Sequence, residues 1–410
     1  MKEGWKEIRI DELGRVVTGN TPSKKDPNYY GGTYPFIKPT DMVVGQRRVK
    51  AWDECYSEKA FQKYRRSYIP PGATGVVTIG TVGEKIFQAD RYCFTNQSVN
   101  VVIPNDSYDK DFVYYLLKIN LPKVENANPG TASGRHHVSK SNFCAIKVKV
   151  PESKTTQRKI ARLLSAYDEL IENNLRRIQL LEEMAQQTYT EWFVRMKFPG
   201  HEHTPVDAET GLPEGWRRVK LGEVAEMKFG YAFKSNQFNS DGLGKPIVRI
   251  RNIPLGKTND FTTEKAKDRY LIKQGDLLVG MDGEFYINHW PGPDAYLVQR
   301  VCCLRCKQSI YNGFLGEAIK TPIKVLQQSI DGATVAHLGK KHLIEIELVI
   351  PDEHSKRLLN DFNYMLQTKM KLITQNQLLR EARDLLLPRL MTGLVDVEEL
   401  AGGEHEIQKL

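Results

Sequence analysis

The chain is 410 residues long, 40% apolar, and carries a formal net charge of +9. That length exceeds one ordinary hydrophobic core and calls for two or three domains. The opening residues are charged and polar, unlike a signal peptide, and no apolar run approaches the roughly 18 residues of a membrane span, so a soluble, cytoplasmic protein is expected. The charge points to a polyanionic partner, and it is uneven. Residues 1–152 carry 23 Lys and Arg against 16 Asp and Glu, 153–199 carry 8 against 6, 200–354 carry 20 against 20, and 355–410 carry 8 against 8.

The first element begins with Glu-Gly-Trp-Lys-Glu-Ile-Arg-Ile-Asp-Glu-Leu-Gly-Arg-Val at 3–16. Gly/Pro/Asn/Asp-rich stretches at Gly19 to Gly32 and Asn126 to Gly134 read as surface loops, either binding loops or plain connectors. A run ending Cys-Ala-Ile-Lys-Val-Lys-Val-Pro151 alternates like a strand with one buried face. After Pro151 the period becomes helical. Ile160, Leu164, Tyr167, Ile171, Asn174, Ile178 and Leu181 step by fours and threes, a heptad seam that Ala185, Thr188 and Trp192 continue until Pro199-Gly200. One helix over 155–196 would be about 63 Å long at ~1.5 Å per residue, too long for one domain of this size.

The pattern then starts again. Glu-Gly-Trp-Arg-Arg-Val-Lys-Leu-Gly-Glu-Val-Ala-Glu-Met occupies 214–227, Gly230 stands where Gly19 stood, Gly280-Met-Asp-Gly283-Glu284 answers Gly80-Thr-Val-Gly83-Glu84, and Gln299-Arg-Val answers Gln97-Ser-Val. The second copy closes on Ile-Glu-Ile-Glu-Leu-Val-Ile-Pro351 and a second seam: Leu358, Phe362, Met365, Ile373, Leu379, Ala382 and Leu386, stopped by Pro388. The expected fold is α+β: two similar mixed α/β domains held apart by an antiparallel coiled coil of two long helices, with Asn174 setting register. The segments are domain one at 1–152, helix one at 153–198, a linker at 199–211, domain two at 212–352, helix two at 353–393 and a tail at 394–410. A stripe of the same kind also suits a helix lying on its own domain.

Reactive constellations are missing. No Gly-x-x-x-x-Gly-Lys-Ser/Thr or Gly-x-Gly-x-x-Gly cradle occurs, nor an Asn/Asp-Pro-Pro-aromatic tetrad, and neither Pro293-Asp294 nor Pro351-Asp352 is followed by an acid and lysine two apart. Cys303-Leu-Arg-Cys306 is half a zinc spacing without its other half, and His201-Glu-His203 cannot share a helix face. The six cysteines read as reduced, apolar side chains. No catalytic residue, metal site or bound cofactor is expected.

The positive signal is basic and polar loop chemistry beside aromatics. Its candidates for DNA contact are Ser23, Lys24, Lys25, Lys38, Arg47, Arg48, Arg135, His136, His137 and Lys140 in the first copy. In the second they are Arg249, Arg251, Asn252, Lys257, Lys340 and Lys341. Arg and Asn read base edges, and Lys and Ser serve phosphates. Each alone is equally well a solvated surface group.

This arrangement resembles the specificity subunits of type I restriction-modification systems. The resemblance covers essentially the whole chain. It is carried by Gly4-Trp5 and Leu212-Pro-Glu-Gly-Trp216, Thr21-Pro-Ser23 through Tyr30-Gly-Gly32, Gly275-Asp-Leu-Leu278 through Gly283-Glu-Phe285, Gln157-Arg-Lys-Ile160, Trp192-Phe193 and Leu385-Leu-Leu-Pro-Arg-Leu-Met-Thr-Gly393. It implies a non-catalytic subunit with two target-recognition domains, each reading one half of a bipartite asymmetric target in double-stranded DNA. It further implies two modification subunits that use S-adenosylmethionine to methylate adenine, and restriction subunits that use ATP and Mg2+. The second helix departs from the pattern, lacking the glutamine that the first has at 157 and carrying Asn376 and Arg383 on its seam. A stand-alone DNA-binding regulator or anti-restriction decoy would share the basic loops. It would not need apolar helix positions off the seam, such as Leu163, Leu170, Leu175 and Leu180. A coiled-coil adaptor without nucleic acid is the remaining alternative.

Overall fold

The structure, a computed structural model, describes residues 3–128, 136–330 and 336–397. The chain divides into two compact units, residues 1–172 with 378–410, and residues 173–377. Both divisions fall inside long helices, Lys154–Tyr189 and Leu359–Met391, so each unit comprises one α/β domain and half of each helix.

In the first unit the opening strand Trp5–Arg9 pairs antiparallel with the closing strand Lys147–Pro151, Ile8 opposite Val148. Val148 and Val150 are buried and Lys147 and Lys149 exposed, the alternation of a strand with one wet face. A four-stranded antiparallel sheet follows in the order Gly14–Thr18, Val99–Pro104, Thr74–Val77, Ile86–Gln88. Its β-branched runs are buried at Val76, Val77, Val99, Val101 and Val102. A smaller sheet places Tyr30–Ile37 between Glu54–Tyr56 and Phe94–Thr95, with Phe36 parallel to Phe94. The helix Lys110–Ile119 starts where Asp109 accepts from the N–H groups of Asp111 and Phe112, and it buries Phe112 through Leu117. One core joins Ile10, Leu13, Phe112, Tyr115 and Phe143 to Leu164, Leu387 and Leu390 of the helices.

The second unit repeats this plan. Arg217–Lys220 pairs with Glu347–Ile350, and the four-stranded sheet runs Ala225–Phe229, Val301–Cys306, Leu277–Gly280, Ile287–His289. Lys245–Val248 lies parallel to Ala295–Leu297 as Tyr30–Ile37 lies parallel to Phe94–Thr95. Its core gathers Leu221, Val279, Phe314 and Leu338 with Phe193 and Phe362. Cys302 points into this packing and Cys303, its neighbour on the strand, into a second core with Val248, Ile253 and Leu278; burial pushes the Cys302 thiol up to about 12, and both act as small apolar groups.

Backbone hydrogen bonds fix the equivalence of the copies. Gly19 donates to Val99 and Gly230 to Val301, and in each case an added Cβ would overlap the carbonyl of residue 96 or 298, so the glycines serve close approach. Thr78 donates to Ser98 as Met281 donates to Arg300, which aligns Gly80 with Gly283. The sequence match of Gly80 to Gly280 is therefore three residues out of register. The left-handed turn glycines that correspond are Gly80, at φ 87°, and Gly283, at φ 67°.

Within the second unit, Asn174 donates to Asn376 Oδ1 at 3.0 Å, and Glu182 meets Lys369 at 2.6 Å, so the helix halves run antiparallel. Ile160, Leu164, Ile171 and Asn174 are buried; Tyr167, Ile178 and Leu181 are half-buried. On the second helix Phe362 and Met365 are buried, while Ile373 and Leu379 are half-buried. Leu372, Asn376, Arg383, Leu387 and Leu390 carry the buried stripe onward. The first helix ends at Tyr189 and widens into a π-helical turn, Thr190–Val194. The second does not stop at Pro388 but continues to Met391. Burying Leu387, Leu390 and Met391, at ~1.5–3 kcal/mol each, outweighs the ~3 kcal/mol that an internal proline costs.

Candidate nucleic-acid interface

The first unit carries a groove of about 1030 Å³ beside its edge strand, lined by Val16, Thr18, Asn20 and the segment Gln62–Ser67. Arg15, Lys63, Arg65, Arg66 and Lys140 stand on its wall, and among the described residues no acid does. The helix Glu58–Tyr64, capped by the Ser57 hydroxyl, delivers Lys63, and its C-terminal turn delivers Arg65 and Arg66. Lys63 lies over the Tyr29 and Tyr64 rings at 4.8 and 5.4 Å and donates to the Tyr29 hydroxyl, which raises its pKa and keeps it cationic. Behind this wall Tyr34, Tyr56, Phe61, Tyr68 and Phe94 pack ring on ring, fixing the helix that presents the cations.

The second unit has a smaller groove, about 400 Å³, lined by Phe233, Phe238, Arg249, Arg251, Gln299 and Arg300 among others. Two of its arginines are held by carboxylates. Arg251 donates to both oxygens of Asp260 at 2.7 Å, and Arg300 pairs with Asp282 at 3.1 Å, whose other oxygen meets His337 Nδ1 at 2.6 Å. Arg249 instead lies over the Phe238 ring at 5.5 Å.

Of the residues singled out in the sequence, Lys140, Arg249 and Arg251 line these grooves. Ser23, Lys24 and Lys25 lie on an exposed loop, Lys24 3.6 Å from Glu54. Lys38 is half-buried between Asp53 and Glu54, and Arg48 pairs with Glu172 at 3.9 Å. His136, His137, Lys257, Lys340 and Lys341 are exposed. Arg135 lies outside the described residues.

Two expectations are corrected. Arg47 is 3% exposed: its guanidinium meets Asp111 at 2.5 Å, Gln88 at 2.8 Å and Ser165 at 2.7 Å and lies over Tyr114 and Tyr115, so it braces the domain against the first helix. Asn252 is 5% exposed and accepts from the Arg249 N–H at 2.9 Å, a turn cap rather than a base reader. Arg15, Lys63, Arg65, Arg66 and Arg300 fall outside the candidates drawn from the sequence. The doublet Arg65-Arg66 between Tyr64 and Tyr68 has the same signature as Arg47-Arg48, and that signal could have found it.

Among the described residues no group of three His, Cys, Asp or Glu could hold a metal ion, and no helix is long and apolar enough to cross a membrane. The six cysteines are free.

An α/β domain present twice, each copy with a cation-bearing groove and halves of two long helices, defines a duplicated protein with two basic surfaces. The family described as type I restriction modification DNA specificity domain matches residues 2–183 and again 213–381. The chain therefore belongs to the type I restriction-modification specificity family. It is 24% identical over 423 residues to the type I restriction enzyme MjaIX specificity subunit of Methanocaldococcus jannaschii, covering 97% of this chain and 94% of that one. Over 194 residues, 46% of this chain and 41% of the relative, it is 29% identical to the EcoBI specificity subunit of Escherichia coli. A solved type I S subunit from M. genitalium shares the fold, with a TM-score of 0.57 and 19% identity over 94% of this chain and 96% of that one.

Proposed function

We propose that this specificity subunit reads a bipartite, asymmetric target in double-stranded DNA, each domain reading one half, and directs adenine methylation and restriction by partner subunits. The observation that carries the reading is the duplicated scaffold with divergent grooves. Identical copies would suit a palindrome, whereas one wide groove with five cations that no acid on its described lining opposes and one narrow groove with carboxylate-held arginines suit two different half-sites. Lys and Arg on the groove walls hold phosphates, and loop side chains enter major grooves about one turn apart, ~34–36 Å. The antiparallel helices set the unread spacer.

Two modification subunits supply S-adenosylmethionine chemistry in this reading, and restriction subunits supply ATP- and Mg2+-dependent translocation and cleavage, all in the cytoplasm. The target adenine leaves the duplex to reach the modification subunit's pocket, at a cost of a few kcal/mol. Apolar side chains outside the helix seam support docking of protein partners. Leu163 and Leu175 are half-buried, Leu163 against the first unit's core, but Leu170 and Leu180 are exposed. Leu385 and Leu378 in the first unit, and Met184 and Tyr364 in the second, are exposed as well.

The test is co-expression with the adenine methyltransferase encoded beside it and genome-wide mapping of modified bases. One bipartite motif with a constant spacer is expected; methylation that does not depend on this chain would sink the reading. Exchanging residues 1–152 for those of a relative changes one half of the motif only.

A further inference from the structure

The two domains superimpose their hydrogen bonding at one more place, where their side chains part company. Ile37 accepts from the Asn96 N–H at 3.3 Å and Val248 from the Val298 N–H at 3.2 Å, so Lys38 corresponds to Arg249 and Gln97 to Gln299. Each cation opens a short 3-10 turn, Pro39–Asp41 or Ile250–Asn252, whose last side chain reaches back to it. Lys38 N–H donates to Asp41 Oδ2 at 2.7 Å, as Arg249 N–H does to Asn252 Oδ1 at 2.9 Å. The tips that follow the parallel strands carry exposed glutamines in both copies. Neither glutamine belongs to a core, so scaffold packing does not account for its recurrence.

The surroundings of the two pairs differ. Lys38 is neutralised by Asp53 and Glu54 at 3.7 and 3.6 Å. Arg249 has no carboxylate partner among the described residues and shares the 400 Å³ groove with Gln299. Gln97 receives a hydrogen bond from the Thr21 hydroxyl, which fixes its amide plane. The residue at the place of Thr21 in the second copy is Ala232, one after Tyr231 as Thr21 is one after Asn20, and the Gln299 amide has no side-chain partner among the described residues.

We infer that base-reading side chains stand at these positions: Gln97 for one half-site, and Gln299 together with Arg249 for the other. This rests on the DNA-reading function proposed above. A glutamine amide offers a donor and an acceptor spaced for the N6 and N7 edge of adenine, and a guanidinium fork fits O6 and N7 of guanine. The first domain, its cation already engaged, reads with the amide alone. The second reads with an amide and a fork, and the aromatic face under Arg249 limits the rotamers the fork must give up on binding.

The experiment maps modified bases for the assembled modification complex carrying the parent chain, Gln97→Ala, Gln299→Ala or Arg249→Lys. A parent without a bipartite motif defeats the proposed function itself, before any variant is compared. With the motif in hand, Gln299→Ala and Arg249→Lys are expected to relax different positions of the same half by about 10-fold or more, and Gln97→Ala a position of the opposite half. An unchanged motif, or an equal loss of methylation on every sequence, overturns the assignment. Gln97→Glu and Gln299→Glu keep the side chain's shape and remove its donor, which guards against misfolding of the alanine variants. These variants must change base choice in their own half, and retention of the parental motif by both also overturns it.

Discussion

Asp168 and Arg383 form a buried ion pair at 2.5 Å, their side chains 5% and 3% exposed, within the first unit. The aspartate's other oxygen accepts from the Tyr115 hydroxyl at 2.5 Å, and Arg383 also reaches Asp384 at 2.9 Å. Burial works against the Arg383 charge, but Asp384 and Asp168 outweigh it and raise its pKa; burial, then Asp168, raises that of Tyr115. Arg383 is therefore held charged and the Tyr115 hydroxyl held neutral, a donor to the carboxylate. Cutting one side strands a buried charge, so Arg383→Met is expected to destabilise the first unit by about 3–5 kcal/mol in denaturant unfolding. Asp168→Leu with Arg383→Met recovers most of that loss. A single variant within about 1 kcal/mol of the parent would show that the pair is not desolvated in solution.

Neutralising the groove acts on DNA rather than on folding. Arg65→Gln with Arg66→Gln should weaken binding to target and non-target duplex alike. It should also lower the slope of log affinity against log salt by about 0.9 for each phosphate no longer neutralised, up to about 1.8 for two. Arg47→Gln should leave that slope alone and lower the unfolding midpoint, since its guanidinium is buried and bonded to Asp111, Gln88 and Ser165. Equal salt slopes for the parent and the double variant would remove Arg65 and Arg66 from the interface.

The contrast between Arg47 and Arg48 shows where sequence reading stops. The two arginines sit side by side in a bend, yet Arg47 enters the core while Arg48 stays half-exposed. Which one does so depends on Asp111, Tyr115 and Ser165, more than sixty positions away in the chain. The repeat, the closing strands and the first helix seam were legible because alternation and heptad spacing are local and each is tied to burial. The Gly-x-x-Gly match failed for a related reason. Two glycines stand three apart in both copies, and only the hydrogen bonds from Gly80 to His136 and from Gly283 to Ala336 choose between the registers. The arginines of the second groove carried no local mark of which were paired. That is set by Asp260 and Asp282, which lie outside the local sequence of Arg249 and its neighbours.

Asn174 and Asn376, both nearly inaccessible, face one another across the antiparallel helix halves of the second unit. Paired amides at a seam cost stability relative to leucine and disfavour slipped registers. Asn174→Leu with Asn376→Leu should raise the unfolding midpoint while loosening register. Register is read by a disulfide placed through Glu182→Cys and Lys369→Cys, the positions that form an ion pair across the seam. The parent should form this bond in high yield, and the leucine variant should form it in mixture with bonds one heptad away when cysteines are offered there. Undiminished yield in the leucine variant would mean that the flanking apolar residues alone set register.

His289 gives the second unit a stability that depends on pH. Its ring is buried against the Asn312 carbonyl, with Nε2 at 3.1 Å, and burial, then the Lys369 charge, lowers its pKa from 6.5 to about 4. The folded histidine therefore stays neutral where the unfolded one takes a proton, and between these two values the unfolded state binds more protons. The contribution is therefore fully present above about 6.5 and is lost as pH falls toward about 4, on the order of 3 kcal/mol in total. Between pH 7 and pH 5 the parent should lose about 2 kcal/mol from this group. His289→Gln keeps a donor for the Asn312 carbonyl but does not titrate, so its unfolding free energy should fall less over the same interval. If both proteins lose stability equally between pH 7 and pH 5, His289 is not the group responsible.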